Sequence, residues 1–248
     1  MIERIKTELA GALIALDYDG TLSPIVADPM QARPVDGVVE TLTRLARRGA
    51  QVAVVTGRDA RTVLELGGLH DVPGLLVSGL HGAESWRDGE LTTRDEPPGL
   101  EVLRRLLPPM LPPDVWLEDK RLSLVVHVRR AADPLDALQR LTEVVPPLAA
   151  EHGIEAHPGK LVIELRIPDL SKATALDRLL TETTTAAFFA GDDLGDLPAV
   201  RAVQDWTART GRPALTVAVG EVAELRDAAD AALAEPAELA ELLAELAR

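Results

Sequence analysis

The sequence predicts an α/β protein, a parallel sheet covered by helices and interrupted by a small α+β insertion. Three observations carry this expectation. Short, continuous apolar runs at residues 12–16, 51–55 and 186–190 alternate with helical patterns, as βαβ units with a buried parallel sheet require. Between residues 97 and 168 the strands instead alternate apolar and polar positions, as half-exposed antiparallel strands do. From Ser171 the continuous apolar runs return. The expected division is therefore a core of residues 1–96 and 169–248, with residues 97–168 inserted as a cap.

The elements follow in order. The run Ala12 to Leu16 is long enough for a buried strand. Asp36 is the expected N-cap of a helix with Val38, Leu42 and Leu45 on its apolar stripe, stopped by Arg47-Arg48-Gly49. Gln51 to Val55 is a second strand, Asp59 opens a helix, and Leu75 to Val77 is a third strand. Asp88-Gly89 turns a hairpin between Trp86 and Leu91. In the insertion, a helix from Leu100 to Leu107 precedes strands near Trp116 and Leu122. A helix over 133–149 and strands near Ile154 and Leu161 complete it. Ser171 caps the next helix, Ala186 to Ala190 and Leu215 to Val219 are strands, and the last helix starts at Pro236.

Composition narrows the function. The 248 residues carry 40 acidic against 26 basic side chains, a net charge of −14, and six aromatics. That balance offers neither a basic footprint nor stacking surfaces, so nucleic acid is not an expected partner. There is no cysteine, hence no disulfide or thiolate site. Charged Glu3, Lys6 and Glu8 precede the first apolar run, which fits neither a signal peptide nor a membrane span. The expectation is a cytoplasmic protein that does not engage a membrane.

The chemistry gathers in four loops. Asp17 and Asp19 end the first strand, and residues i and i+2 of a strand point to one side. Like charges held together call for a cation, and Gly20 lets the chain turn away. Thr56 and Gly57 lead from the second strand into a helix N-terminus, an anion site. Lys172 lies in the first turn of its helix, where a cation opposes the dipole. Asp192, Asp193 and Asp196 follow an apolar strand. Carboxylates for a hard cation, a hydroxyl, an ammonium and a nucleophile make a kit for phosphoryl transfer.

Asp-x-Asp-Gly-Thr, a strand-end Thr, a helix-opening Lys and Gly-Asp-Asp, in this order, resemble the haloacid dehalogenase-type phosphatases over essentially the full chain. The stretches Gly79 to Gly82, Leu117 to Lys120 leading to His127-Val128-Arg129, and Gly159 to Arg166 are similar to motifs of the trehalose-6-phosphate phosphatases. The resemblance implies a Rossmann-like, haloacid dehalogenase-like core with a substrate-selecting cap. It implies magnesium-dependent hydrolysis of trehalose 6-phosphate to trehalose and phosphate, and a functional link to the synthase that makes that substrate.

Within that resemblance Asp17 is the nucleophile and Asp19 the acid and base. Thr56 and Lys172 grip the phosphoryl group, and Asp17, the Asp19 carbonyl and Asp192 hold Mg2+. Gly57, Arg58, His81, Gly82, Glu118, Lys120 and Glu164 contact the substrate. A carboxylate nucleophile is expected to be ionised at neutral pH and to need no base. The chain departs from the family pattern at Ser171 and Ala173 around Lys172, and at Gly195 and Leu197, where the family has Thr and Glu. The alternatives are another sugar-phosphate phosphatase, such as one for sucrose phosphate, or a non-catalytic sugar-phosphate sensor. Glu118, Lys120, Glu164 and Arg166 also admit a plainer reading, as ion pairs on a solvated sheet.

Overall fold

A computed structural model describes residues 1–120 and 122–248. Along the chain run α1 (Ile2–Thr7), β1 (Leu13–Leu16), α2 (Val38–Arg47), β2 (Gln51–Val55), α3 (Ala60–Gly67), β3 (Leu76–Gly79), β4 (Glu84–Arg87) and β5 (Glu90–Thr93). Next come α4 (Pro98–Leu106), β6 (Trp116–Asp119), β7 (Ser123–His127), α5 (Pro134–Glu151), β8 (Glu155–Gly159) and β9 (Val162–Arg166). The chain closes with α6 (Lys172–Leu179), β10 (Ala187–Gly191), α7 (Leu197–Thr210), β11 (Ala214–Val219), α8 (Ala223–Ala228), β12 (Ala231–Leu233) and α9 (Pro236–Leu246). Two compact units result: Met1–Thr93 with Ser171–Arg248, and Arg94–Leu170.

The larger unit is an eight-stranded sheet in the order β12-β11-β10-β1-β2-β3-β4-β5. The strands from β12 to β3 pair in parallel, and the β4–β5 hairpin adds antiparallel strands at one edge. Every residue of β1 is buried, because helices cover both faces of the sheet. Ile14 and Leu16 pack toward Leu42, Val63 and Leu243 of α2, α3 and α9. Leu13 and Ala15 face the other way, toward Leu176, Val203 and Leu225 of α6, α7 and α8. β1 lies between β2, the next strand in the chain, and β10, which arrives after the insertion. Such a reversal of strand order opens a crevice at the carboxyl ends of the strands, where α/β proteins bind ligands.

The smaller unit carries a four-stranded antiparallel sheet, β6-β7-β9-β8. Leu124, Val126, Ile163 and Leu165 are fully buried along one side. Opposite them run Trp116, Glu118, Val125, His127, Glu164 and Arg166, the polar side that the alternation predicts.

One local expectation is corrected. Asp36 does not cap α2; Gly37 takes that position with φ 81°, and its carbonyl accepts from the Thr41 N–H at 3.0 Å. The left-handed cap favours glycine, which has no Cβ to clash.

The end of β3 braces the loop after β2. Leu80 N–H donates to the Arg58 carbonyl at 2.9 Å, and His81 N–H donates to the Thr56 carbonyl at 3.0 Å. Leu80 and His81 both adopt positive φ to do so. Glu84, buried nearby, accepts from the Ala60 N–H at 2.9 Å. A Cβ on Gly79 would stand 2.7 Å from the Ala60 nitrogen and 3.0 Å from the Arg58 carbonyl oxygen. Gly79→Ala should therefore destabilise the protein by about 1–3 kcal/mol, read from denaturant unfolding, because backbone rather than a flexible side chain must yield. An unchanged unfolding midpoint would show that the brace has slack.

Candidate active site

The site centres on Asp17, the first residue beyond β1. Its neighbours in the sheet fix its surroundings: the loop after β10 on one side, the loop after β2 on the other. Lys172 opens α6, with Ser171 as the N-cap accepting from the Thr174 N–H. A cation in the first turn opposes the helix dipole, and here it is buried as well. Two carboxylates offset that cost: Lys172 Nζ lies 2.8 Å from Asp17 Oδ1 and 2.7 Å from Asp196 Oδ1.

Asp196 has no exposed surface and uses both oxygens. Oδ1 accepts from Lys172, while Oδ2 accepts from the Asp192 and Asp193 N–H groups at 3.0 and 3.2 Å. This carboxylate braces the loop that carries Gly195 and leads into Leu197. Gly191 makes room for it, since a Cβ there would meet Asp196 Cγ at 2.3 Å.

Ligand atoms of Asp17, Asp192 and Asp196 lie within 4.8 Å of one another. With Lys172 as the cation among them, two negative charges stay uncompensated when all three acids are ionised. Hard oxygens and that charge suit a divalent cation. The turn is shaped for the same approach: a Cβ on Gly20 would fall 2.0 Å from Asp192 Oδ2, and Gly20 has φ +73°. Thr21 Oγ1 lies 3.5 Å from Asp192 Oδ1. The acidic group can thus hold a metal ion, and Asp196, whose two oxygens are engaged by Lys172 and two backbone N–H groups, leaves Asp17 and Asp192 as the carboxylates to contribute.

The Asp19 side chain stands apart from this group. Arg58 grips it in a fork, Nε to Oδ2 at 2.6 Å and Nη2 to Oδ1 at 2.7 Å. That hydrogen bond, first among the causes, raises the Arg58 pKa further. Thr56 is buried, and its Oγ1 accepts from the Arg58 N–H at 3.1 Å, so the hydroxyl keeps its proton to donate elsewhere. Asp59, not Thr56, caps α3. Gly57 lies against the His81 imidazole, whose Cε1 and Nε2 would both stand 2.9 Å from a Cβ there. The Gly82 carbonyl accepts from Arg178.

Burial sets the protonation of the centre. It pushes Asp17 up to about 7, against the attraction of Lys172 and with Asp192 adding to the rise. Asp192 rises to about 6 from burial, opposed by its hydrogen bond to Asp17, and Asp196 rises to about 7 from burial and then the Asp17 charge. Lys172 is shifted upward by its two carboxylates, despite burial, the largest single effect, acting against its charge. Desolvation thus works against the ionised form that the sequence reading expects of Asp17, and a bound cation would favour it.

In the smaller unit, Glu118, Val125 and Glu164 are direct cross-strand partners in one row. Glu118 and Glu164 are two strand spacings apart, roughly 10 Å, with Val125 as an apolar floor between them. Glu118 Oε2 contacts His127 Nε2 at 2.8 Å and lies 3.9 Å from Lys120 Nζ, while Glu164 is bonded to Arg166. Sequence reasoning singled out the acids of this row but not His127 as a holder, nor Asp196 as the partner of Lys172. For Asp196 the signal is its place four residues beyond Asp192, on the next turn of the same loop.

This fold, with an acidic centre at the end of β1 and an inserted α+β unit, is that of the haloacid dehalogenase-like hydrolases. A haloacid dehalogenase-like hydrolase from Bacteroides thetaiotaomicron shares it, with a TM-score of 0.66 over 95% of this chain and 99% of its own at 16% identity. The chain belongs to the trehalose-phosphatase family, whose model matches residues 15–234. It is 37% identical over 212 residues to the trehalose-phosphate phosphatase of Mycobacterium leprae (strain TN), covering 77% of this chain and 47% of that one. It thus spans about half the length of the curated relatives it matches. The solved C-terminal domain of the trehalose-6-phosphate phosphatase of C. albicans aligns with a TM-score of 0.76 at 25% identity, over 99% of this chain and 94% of that one. Among the described residues no helix is long and apolar enough to cross a membrane.

The raised carboxyls give a pH dependence of defined sign. Between the unfolded value of 3.8 and the folded values of about 6 to 7, the native state holds protons that the unfolded chain has released. Stability of the metal-free protein should fall as pH rises through that window. Lys172, shifted upward, contributes a constant stabilisation there that fades only in strong alkali. Denaturant melts in chelator should show the midpoint dropping between about pH 4 and pH 7, with a saturating divalent cation reversing the drop. A midpoint that rises over the same window would mean the acids are held ionised without metal.

Proposed function

We propose that the protein is a magnesium-dependent phosphatase that hydrolyses trehalose 6-phosphate to trehalose and phosphate, through an aspartyl-phosphate on Asp17. One observation carries the reading: a buried carboxylate–lysine pair at the carboxyl end of the central strand, beside two further acids that leave charge for a dication. A neutral pair would suit a structural ion bridge. The surplus charge suits a metal and a phosphoryl group together.

The Asp17 carboxylate attacks phosphorus and the bond to the sugar oxygen breaks. Asp19 gives its proton to the departing oxygen. In the second half, Asp19 takes a proton from water, whose oxygen attacks phosphorus, releasing phosphate and restoring Asp17. To reach either oxygen, the Asp19 carboxylate must leave the Arg58 fork that now holds it. Lys172 restrains Asp17 and neutralises charge on the phosphoryl oxygens, and the Thr56 hydroxyl donates to another of them. Mg2+, held by Asp17, Asp192 and the Asp19 carbonyl, would draw charge from the phosphoryl oxygens and lower the Asp17 pKa. We assign Gly57 and Arg58 of the β2-end loop, with His81, whose ring lies against Gly57, and Gly82, to the substrate as well.

We assign residues 97–168 to substrate selection and residues 1–96 with 169–248 to chemistry. Glu118 and Glu164, from the motif stretches 117–120 and 159–166, lie in one cross-strand row with Val125, and we assign Glu118, Lys120 and Glu164 to the sugar hydroxyls over the Val125 floor. The similarity to phosphatases named for trehalose phosphate supports this substrate over other sugar phosphates.

A panel of sugar phosphates assayed with magnesium and with chelator tests the whole reading. Phosphate release should be greatest from trehalose 6-phosphate, vanish with chelator and return with magnesium; full activity in excess chelator would refute the metal assignment. Asp17→Asn should abolish the covalent step. Asp19→Asn should still trap phosphate on Asp17 from a substrate with a good leaving group, detectable as a mass increase. Comparable turnover by Asp17→Asn would remove it as nucleophile. Replacing Glu118, Lys120 or Glu164 with Ala should each lower kcat/KM for trehalose 6-phosphate by roughly ten- to hundred-fold, more than for a small aryl phosphate lacking those hydroxyls. Losses equal on both substrates would return these residues to a structural role.

A further inference from the structure

On the polar side of the small sheet, a cluster that the reaction does not use surrounds Glu118. Trp116 and His127 are cross-strand partners, and their rings stack with centroids 4.6 Å apart and planes 4° apart. The Arg130 guanidinium carbon stands 4.5 Å from the Trp116 ring centroid. His127 Nε2 lies 2.8 Å from Glu118 Oε2. Lys120 Nζ, the nearer neighbour in sequence, is 3.9 Å from the same oxygen, beyond hydrogen-bond reach.

A glutamate has three rotatable bonds, and Glu118 is 44% exposed. Left alone it would sample many rotamers, and ordering it would weaken every contact with a ligand. The His127 ring is 21% exposed and pinned by its stack, so it can hold one oxygen of Glu118, a side chain that stays 44% exposed. We propose that His127 is a positioning residue for substrate selection. Stacked on Trp116, it presents the Glu118 carboxylate to a sugar hydroxyl in a fixed orientation. This rests on the reading of Glu118 as a sugar-binding acid. The plainer view, a surface pair of little consequence, expects its loss to leave selectivity alone.

His127→Phe keeps a ring against Trp116 and deletes the nitrogen; His127→Gln returns an amide donor near the place of Nε2. The measurement is kcat/KM on trehalose 6-phosphate and on a small aryl phosphate, with magnesium, for each variant, for Glu118→Ala and for the double variant Glu118→Ala/His127→Phe. His127→Phe should lower the disaccharide value roughly three- to thirty-fold, mainly through KM, with aryl phosphate turnover unchanged. His127→Gln should recover most of the loss, and the double variant should be no worse than Glu118→Ala. Should His127→Phe fail to fold, Trp116→Leu, which removes the stacking platform, carries the same expectation. Additive losses in the double variant, equal losses on both substrates, or no loss at all would overturn the proposal. A harmless Glu118→Ala would overturn the sugar-binding reading itself and this inference with it, an outcome seen without any change at His127.

Discussion

The buried Lys172 ammonium is the constraint on which the larger unit's site depends. It sits within hydrogen-bond distance of Asp17 and Asp196, and it ties three separate segments of chain together: the end of β1, the start of α6 and the loop after β10. Removing one partner of a buried pair strands the other charge, which is far costlier than never having built the pair. That asymmetry makes each member hard to replace alone. Asp196 passes the restraint onward through its second oxygen, which holds the Asp192 and Asp193 amides, so the ammonium also fixes the loop that carries the outer acid.

The parallel sheet makes this economy of residues workable. Neighbouring parallel strands end at the same level, and β10, β1 and β2 therefore deliver three loops to one place. Continuous burial of β1 removes any tolerance for slippage, since its two faces meet different helix layers. The loops can then be irregular, even strained, as the consecutive left-handed Leu80 and His81 are, because the strands beneath them do not move.

Much of this was legible in the chain. Apolar runs of strand length located β1, β2, β10 and β11, and the change to alternation near residue 97 announced a sheet of another kind. Asp17, Asp19, Thr56 and Asp192 stood out because each follows a buried strand, and Lys172 because a cation in the first turn of a helix opposes the dipole. Other features left weaker marks. β12 has three residues and α8 six, too short for a periodic signal. The Gly37 cap competes with an adjacent Asp36 that is the better cap by composition. The swing of Asp19 away from Asp17 depends on Arg58, thirty-nine positions later, and same-side spacing on a strand does not foresee such a partner. The raised Asp17 pKa likewise reflects how completely both helix layers close over β1, a property of packing rather than of any motif.

The row Glu118–Val125–Glu164 has a consequence for how such a protein changes over generations. Along β7 and β9, Leu124, Val126, Ile163 and Leu165 belong to the core, while the side chains between them face the other way. Point changes at the outward positions leave Leu124, Val126, Ile163 and Leu165 untouched. On the proposed reading of this row, substrate preference is thereby written on one set of codons and foldability on the interleaved set. A lineage can redraft the first without risking the second, but a single inserted residue in β7 or β9 would exchange the two texts and lose both.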